Sequence, residues 1–357
     1  MADLLKNRID KNLHESLARA LSQNTKIFNK KIFLKKVEIG WDQLELKDRI
    51  RQIAMALNES LNCSYVEKIK IFNVVSEQFS GQFGAWIFPQ FVEMFGLDDW
   101  DTSVEALKKY TSLASSEFAV RVFIQKNQKK MMKQMLVWSK DKNEHVRRLA
   151  SEGCRPLLPW SFKLRSFVED PSEILPILEN LKNDESLYVR KSVANNLNDI
   201  SKNHPELVLK IAQQWIGKSE RTDWILKHGL RTLLKRGHKK ALTLFGVKPI
   251  KNLVICDLKM SQPKFIIGHN LEFSFVIKNK NNQKLRIEYV IHYLKKNNSH
   301  SKKVFKLAEK EYNQGVYRFQ KKHSLRQMTT RQHNPGLHYL EIVINGNVLA
   351  KTNFNLK

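Results

Sequence analysis

Residues His145–Trp160 read HVRRLASEGCRPLLPW, and the fold turns on whether this stretch is a helix with two unlike faces. On a helix, Val146, Leu149, Ala150 and Gly153 recur at i, i+3, i+4 and i+7 and make an apolar stripe. His145, Arg148, Glu152 and Arg155 share the same spacing on the other side, which sets one carboxylate between two arginines a turn away in each direction. Pro156 and Pro159 end the helix. Arg155, just before a proline, is biased out of helical backbone. Trp160 then emerges on an irregular segment where a large aromatic can face a groove. A bland account competes, because most charged helix faces are solvated ion-pair stripes, and spacing alone favours it.

Outward from this stretch, the dipeptide Val-Arg recurs at Val120-Arg121, Val146-Arg147 and Val189-Arg190, at spacings of 26 and 43 residues. The surplus in the second interval is the loop RPLLPWSFKLRSFVEDP, and Leu230-Arg231 reads as a further, degenerate copy. Helical units that repeat imperfectly, with an insertion on one side, point to an α-solenoid. Glu152 and Asn195 each lie six residues after their valine and are expected on one side of the array. Arg148, Arg155, Arg190 and Lys191 would make that side a positive cleft. Ser115 or Ser116 is the expected N-cap of a helix carrying Glu117, Val120 and Arg121, where a glutamate also gains from the helix dipole. In residues 26–36 lysines alternate with large apolar residues, which suits either a segment along phosphates or a surface helix with snorkelling lysines. Tyr65, Phe79, Trp86, Phe88 and Phe91 read as core of stacked helices.

After Gly246-Val-Lys-Pro249 the period changes from helical to alternating, as in Leu271–Ile277 and Leu285–Tyr293. Asn345-Gly346 between two apolar runs is a hairpin signal. The fold class expected is therefore multidomain: an α-solenoid over residues 1–248, then an all-β sandwich over 249–357 with about seven strands. The 357 residues carry a formal charge of +27. Residues 250–357 hold 20 Lys and Arg against 6 Asp and Glu, a net +14, which leaves +13 on the helical part. Such an excess implies a polyanionic partner, either nucleic acid or an anionic membrane surface. No run approaches the length of a transmembrane helix and the first residues, MADLLKNRID, lack the apolar core of a signal peptide. A cytoplasmic protein without a membrane partner is expected. Cys63, Cys154 and Cys256 form no CxxC pair, so neither a disulfide framework nor a zinc site is supported, and no cofactor is expected.

Taken together, SSEFAVRVFI (115–124), HVRRLASEGCRPLLPW (145–160), DESLYVRKSVANNLNDISKNHP (184–205) and WILKHGLRTLLKRGHKKAL (224–242), with FPQFVEMFGLDDWDTSVEALKKYT (88–111), resemble the AlkC-type DNA glycosylases of the HEAT-like-repeat alkylation-repair superfamily. The sandwich matches the immunoglobulin-like domain of that family's longer members by architecture more than by motif. The resemblance implies release of N-methylated bases from DNA by cleavage of the N-glycosidic bond; the expected partner is double-stranded DNA, met at the nucleoid by a monomer. It makes Glu117 and Glu152 the acidic pair at the lesion and assigns Trp160, Arg148 and Arg155 to the distorted DNA. Arg190, Lys191, Asn195, Asp199 and Arg231, in the matching segments, are placed with them as DNA- or lesion-binding residues. Leu157 stands where many relatives carry an arginine, which implies one phosphate contact fewer.

The chemistry fits the residue types. A ring-methylated base is cationic and leaves neutral without prior protonation, so no general acid is needed. The enzyme must stabilise an oxocarbenium-like sugar and place a water, both tasks for ionised carboxylates. That accounts for glutamates without a histidine, metal or lysine nucleophile, and no lyase step is expected. A paired base must be exposed by flipping or by bending the duplex. With no plug loop of aromatic wedges in the sequence, bending is expected, and the β-domain is expected to clamp DNA. The rival is a non-catalytic HEAT-repeat scaffold that binds DNA without base release.

Overall fold

The computed structural model describes residues 5–327 and 332–357. Sixteen α-helices precede eight strands among them. The helices are α1 (Lys11–Asn24), α2 (Lys30–Val37), α3 (Leu46–Ser60), α4 (Tyr65–Val75), α5 (Ile87–Phe95), α6 (Trp100–Tyr110), α7 (Val120–Lys126) and α8 (Gln128–Trp138). They continue as α9 (Glu144–Glu152), α10 (Arg165–Glu169), α11 (Leu175–Leu181), α12 (Leu187–Ile200), α13 (Pro205–Trp215), α14 (Glu220–Gly229), α15 (Arg231–Lys235) and α16 (Lys239–Leu244). Short polar residues start many of them. Asp10, Asn29, Asp99, Asn127, Asn143 and Ser186 each accept from a backbone N–H two or three residues on, which satisfies an orphan donor at about 1 kcal/mol per cap. At α4 the cap is reciprocal, Ser64 with Glu67.

The chain forms two compact units. One runs up to His204 and includes Trp215–Gly229; the other comprises Pro205–Gln214 and Leu230–Lys357. Within the first, Val120, Val146 and Val189 of the recurring dipeptides are all buried. There α9 packs against α8 and α12, and α12 against α14.

The structure departs from two local expectations. Glu117 precedes its helix rather than lying in it, because α7 begins at Val120 and residues 117–119 form a turn. The hydroxyl of Ser115 accepts from the Glu117 N–H at 3.3 Å, so the serine caps the turn that leads into α7. Likewise α9 ends at Glu152, ahead of both prolines. Its last turn comes so close to α7 that a Cβ on Gly153 would lie 2.5 Å from Val120 Cγ2 and 3.0 Å from Met135 Cε, contacts only glycine avoids.

In the second unit the strands are β1 (Leu253–Met260), β2 (Lys264–Phe265), β3 (Asn270–Asn279), β4 (Gln283–Leu294), β5 (His300–Tyr312), β6 (Gly315–Ser324), β7 (Gly336–Ile344) and β8 (Asn347–Leu356). They make a three-stranded sheet, β1-β3-β6, and a five-stranded sheet, β2-β8-β7-β4-β5. All pairings are antiparallel except β2 with β8. Alternate residues Leu271, Phe273, Phe275 and Ile277 of β3 meet Leu285, Ile287, Tyr289 and Ile291 of β4 in the core. At the β7–β8 turn Asn345 (φ 47°) and Gly346 (φ 81°) both take the left-handed backbone of a two-residue hairpin loop. The Asn345 carboxamide accepts from the Arg286 N–H at 2.7 Å and donates to the carbonyls of Lys284 (3.0 Å) and Lys248 (2.8 Å). Helices of this unit rest on the same turn. The Cα of Gly237 lies 2.9 Å from where a Cβ on Gly346 would sit, and Lys284 Nζ donates to the Phe245 carbonyl at 2.7 Å.

Candidate active site

The charged side of α9 is a buried ion network, not the solvated stripe that spacing alone favours. Glu152 is 4% exposed, Arg155 6% and Asp199 2%. Glu152 Oε1 accepts from Arg155 Nη1 at 2.6 Å and pairs with Arg148 Nη2 at 3.4 Å. Arg148 Nη1 in turn bonds Glu117 Oε2 and donates to Ser115 Oγ at 2.7 Å. Arg155 Nε reaches Asp199 Oδ2 at 2.9 Å, and Lys202 Nζ reaches Asp199 Oδ1 at 3.0 Å. Three carboxylates and three cations therefore alternate from Glu117 to Lys202. The cluster is charge-balanced rather than the expected positive cleft: Arg148 and Arg155 face carboxylates.

Burial works against the charged guanidinium of Arg155, but Glu152 and Asp199 more than offset it and hold the group above its ordinary pKa. Arg148 behaves alike: burial opposes its charge, and Glu152 and Glu117 raise it. The Arg148 guanidinium also lies 4.9 Å from the centre of the Tyr188 ring. The other oxygen of Glu152, Oε2, is buried and has no hydrogen-bond partner. A buried carboxylate oxygen in that state is costly, and it can accept from a water or face a cation.

Beyond α9 the chain forms a loop closed at its neck by the Leu164 N–H to the Pro156 carbonyl at 3.2 Å. From beneath, the buried Arg121 donates to the carbonyls of Gly153 (3.0 Å) and Arg155 (2.8 Å), and a further N–H reaches the Phe162 carbonyl. Burial pushes the Arg121 guanidinium down to about 10, so it stays charged at neutral pH. On the loop, Trp160 is 61% exposed and has φ +63°, left-handed backbone that is a rare and strained choice for a bulky residue. Further along the loop an open groove of about 550 Å³ is lined by residues that include Gln125, Gln128, Phe162, Lys163, Arg165 and Ser166.

Of the residues nominated from sequence, Glu117, Arg148, Glu152, Arg155 and Asp199 come together. Arg190 has another task, donating to the carbonyls of Asp184 (2.9 Å) and Glu185 (2.8 Å). Arg147 does the same to Asp141 and Lys142, so the arginine of these two Val-Arg pairs ties down the turn before its helix. Lys191 is exposed on α12 and Asn195 is half-buried there. Arg231 opens α15 in the second unit. Sequence reasoning gave Ser115 only a capping role and missed Tyr188 and Lys202. Ser115 and Lys202 carried a local signal, two residues before Glu117 and three after Asp199.

The family described as "DNA alkylation repair enzyme" matches residues 108–233, and that described as "Uncharacterised protein YhaZ, C-terminal Ig-like domain" matches residues 254–357. The uncharacterized protein YhaZ of Bacillus subtilis (strain 168) is 45% identical over 358 residues, covering 100% of both chains. Among solved structures, the alkylpurine DNA glycosylase AlkC of Pseudomonas fluorescens, bound to DNA containing an abasic site analog, superposes with a TM-score of 0.96 at 35% identity, covering 99% of this chain and 100% of that one. No helix among the described residues is long and apolar enough to cross a membrane.

Proposed function

The chain belongs to the AlkC-type DNA alkylation-repair enzymes, and from that membership we propose that it is a DNA glycosylase releasing cationic N-methylated bases, such as 3-methyladenine, 3-methylcytosine and 1-methyladenine, from duplex DNA. The observation that carries the reading is Glu152, with one oxygen fixed by Arg148 and Arg155 and the other buried without a partner. As the N-glycosidic bond lengthens, its electron pair moves to the base and neutralises it, while positive charge grows on the sugar. A fixed carboxylate stabilises that charge without reorganising, the strongest single lever a site has. Water then adds to the anomeric carbon and its proton passes to Glu152. Glu117, held by Arg148 and Ser115, supplies the second negative charge.

Arg148 and Arg155 act mainly by aiming Glu152, and Asp199 by holding Arg155. The exposed indole of Trp160 offers a π face that prefers a cationic base to a neutral one. Phosphates fall to exposed cations such as Lys163, Arg165 and Lys191 and to the basic β-domain, which acts as a DNA clamp. The protein works as a cytoplasmic monomer, without a cofactor. Lys202, paired with Asp199, is no free amine, which supports hydrolysis without a lyase step.

The test is base release from defined duplexes, each with one methylated base, with borohydride present in a parallel arm. Free base without trapped protein is expected. DNA binding without base release from any duplex would establish the scaffold reading instead.

A further inference from the structure

Lys47, the second residue of α3, lies 113 positions from Trp160 in sequence, yet its ammonium donates to the Trp160 carbonyl. The same ammonium sits 4.1 Å from the centre of the Phe118 ring, next to Glu117. Burial lowers its pKa, Glu93 and Glu117 work the other way, and Arg121 adds to the lowering; Lys47 and Glu93 line one small pocket with Phe118. Arg121 fixes the base of the loop at the carbonyls of Gly153, Arg155 and Phe162; Lys47 acts at the strained residue itself. Left-handed backbone at a tryptophan persists only where its surroundings over-determine it, and a donor aimed at its own carbonyl is such a constraint.

We propose that Lys47 is a positioning residue that locks the Trp160 backbone and so presents the exposed indole, in one orientation, to the damaged strand. The inference rests on the assignment of Trp160 to the DNA. Lys47→Met keeps the stem over Phe118 and removes the donor; Lys47→Arg restores a donor. Three measurements on the full chain decide the matter: amide hydrogen exchange over residues 157–164 without DNA, melting temperature, and single-turnover base release in Lys47→Met, Lys47→Arg, Trp160→Ala and the double variant Lys47→Met/Trp160→Ala.

Lys47→Met should exchange faster in the loop at an unchanged melting temperature and lose activity by roughly tenfold to a hundredfold, the scale of a misplaced reacting group. Lys47→Arg should recover most of it. The double variant should be no slower than Trp160→Ala alone, because both changes remove one function. Unchanged loop exchange in Lys47→Met, or losses that add in the double variant, would overturn the role of Lys47. A fully active Trp160→Ala would instead overturn the assignment of Trp160, and loop exchange would still decide whether Lys47 holds it.

Discussion

Replacing Glu152 by glutamine keeps the shape of the side chain and removes its charge, and the structure allows the two consequences to be separated. Arg148 and Arg155 each lose one carboxylate but keep another, Glu117 and Asp199 respectively. Stripping a buried ion of its last partner costs about 3–5 kcal/mol. Here neither arginine is stranded, so a cost of about 2 kcal/mol is expected. Set against a domain stability of about 5 kcal/mol at the low end, that leaves about 99% of the protein folded at 25 °C. Unfolding can then remove only about a hundredth of the activity. Loss of a fixed charge beside the developing sugar cation should instead slow the chemical step by about 10²–10³-fold. The assay is single-turnover release of 3-methylcytosine from a duplex, with protein in excess, alongside the melting temperature and the affinity for an abasic-site duplex. Affinity should hold or rise while the rate falls. A rate within a few-fold of the parent, or one that falls only with the folded fraction, would refute the role of Glu152.

Arg121→Met should strand the carbonyls of Gly153, Arg155 and Phe162, at about 1–3 kcal/mol for each unpaired acceptor; the melting temperature should drop and release from every methylated duplex should fall in parallel, whereas a stable variant would deny the arginine its anchoring task. Neutralising the exposed Lys295, Lys296, Lys302 and Lys306 of the sandwich should flatten the dependence of log affinity on log salt by up to about 0.9 for each phosphate that a lysine no longer neutralises; an identical slope would show that this surface does not meet DNA. Stability should also depend on pH through His14, whose ring lies 4.3 Å from Trp41 with both nitrogens unbonded and whose pKa burial pushes down to about 4. An unfolded histidine takes its proton near 6.5, so between about 6.5 and 4 the unfolded chain binds more protons and stability falls with falling pH, by up to about 3 kcal/mol. Denaturant midpoints for the parent and His14→Leu should diverge across that window, and parallel curves would remove His14 as the cause.

What the sequence made legible follows from range. The bracketing of Glu152 by Arg148 and Arg155 depends on three- and four-residue spacing, and both ion pairs form although Arg155 has left the helix. The strand alternation of Leu271–Ile277 and the turn at Asn345-Gly346 are local in the same way. Burial was not legible, because the depth of Glu152 is set by Asp199, 44 residues beyond Arg155, and by packing on α8 and α12. Nor could the Val-Arg repeat disclose that Arg147 and Arg190 serve their own preceding turns while Arg121 serves a distant loop. Identical dipeptides have different tasks because the carbonyls within reach differ. Lys47 gave no signal at all, since its partner is a backbone oxygen 113 residues away.

The hairpin turn at Asn345-Gly346 bears on how the protein can be taken apart. Its amide fastens the chain at Lys248, its glycine backs onto Gly237, and Lys284 grips the carbonyl of Phe245. Scissors placed where helices give way to strands would tear these links and bare Leu242, buried in the intact chain. Upstream, the helical turns of Pro205–Gln214 belong to the same compact unit as α15, α16 and the sandwich, and Lys240 meets Glu206 there at 2.7 Å. Shuffling experiments between relatives should therefore carry α13, α15 and α16 along with the sandwich, as its plinth, and chimeras joined after residue 248 should be the ones that precipitate.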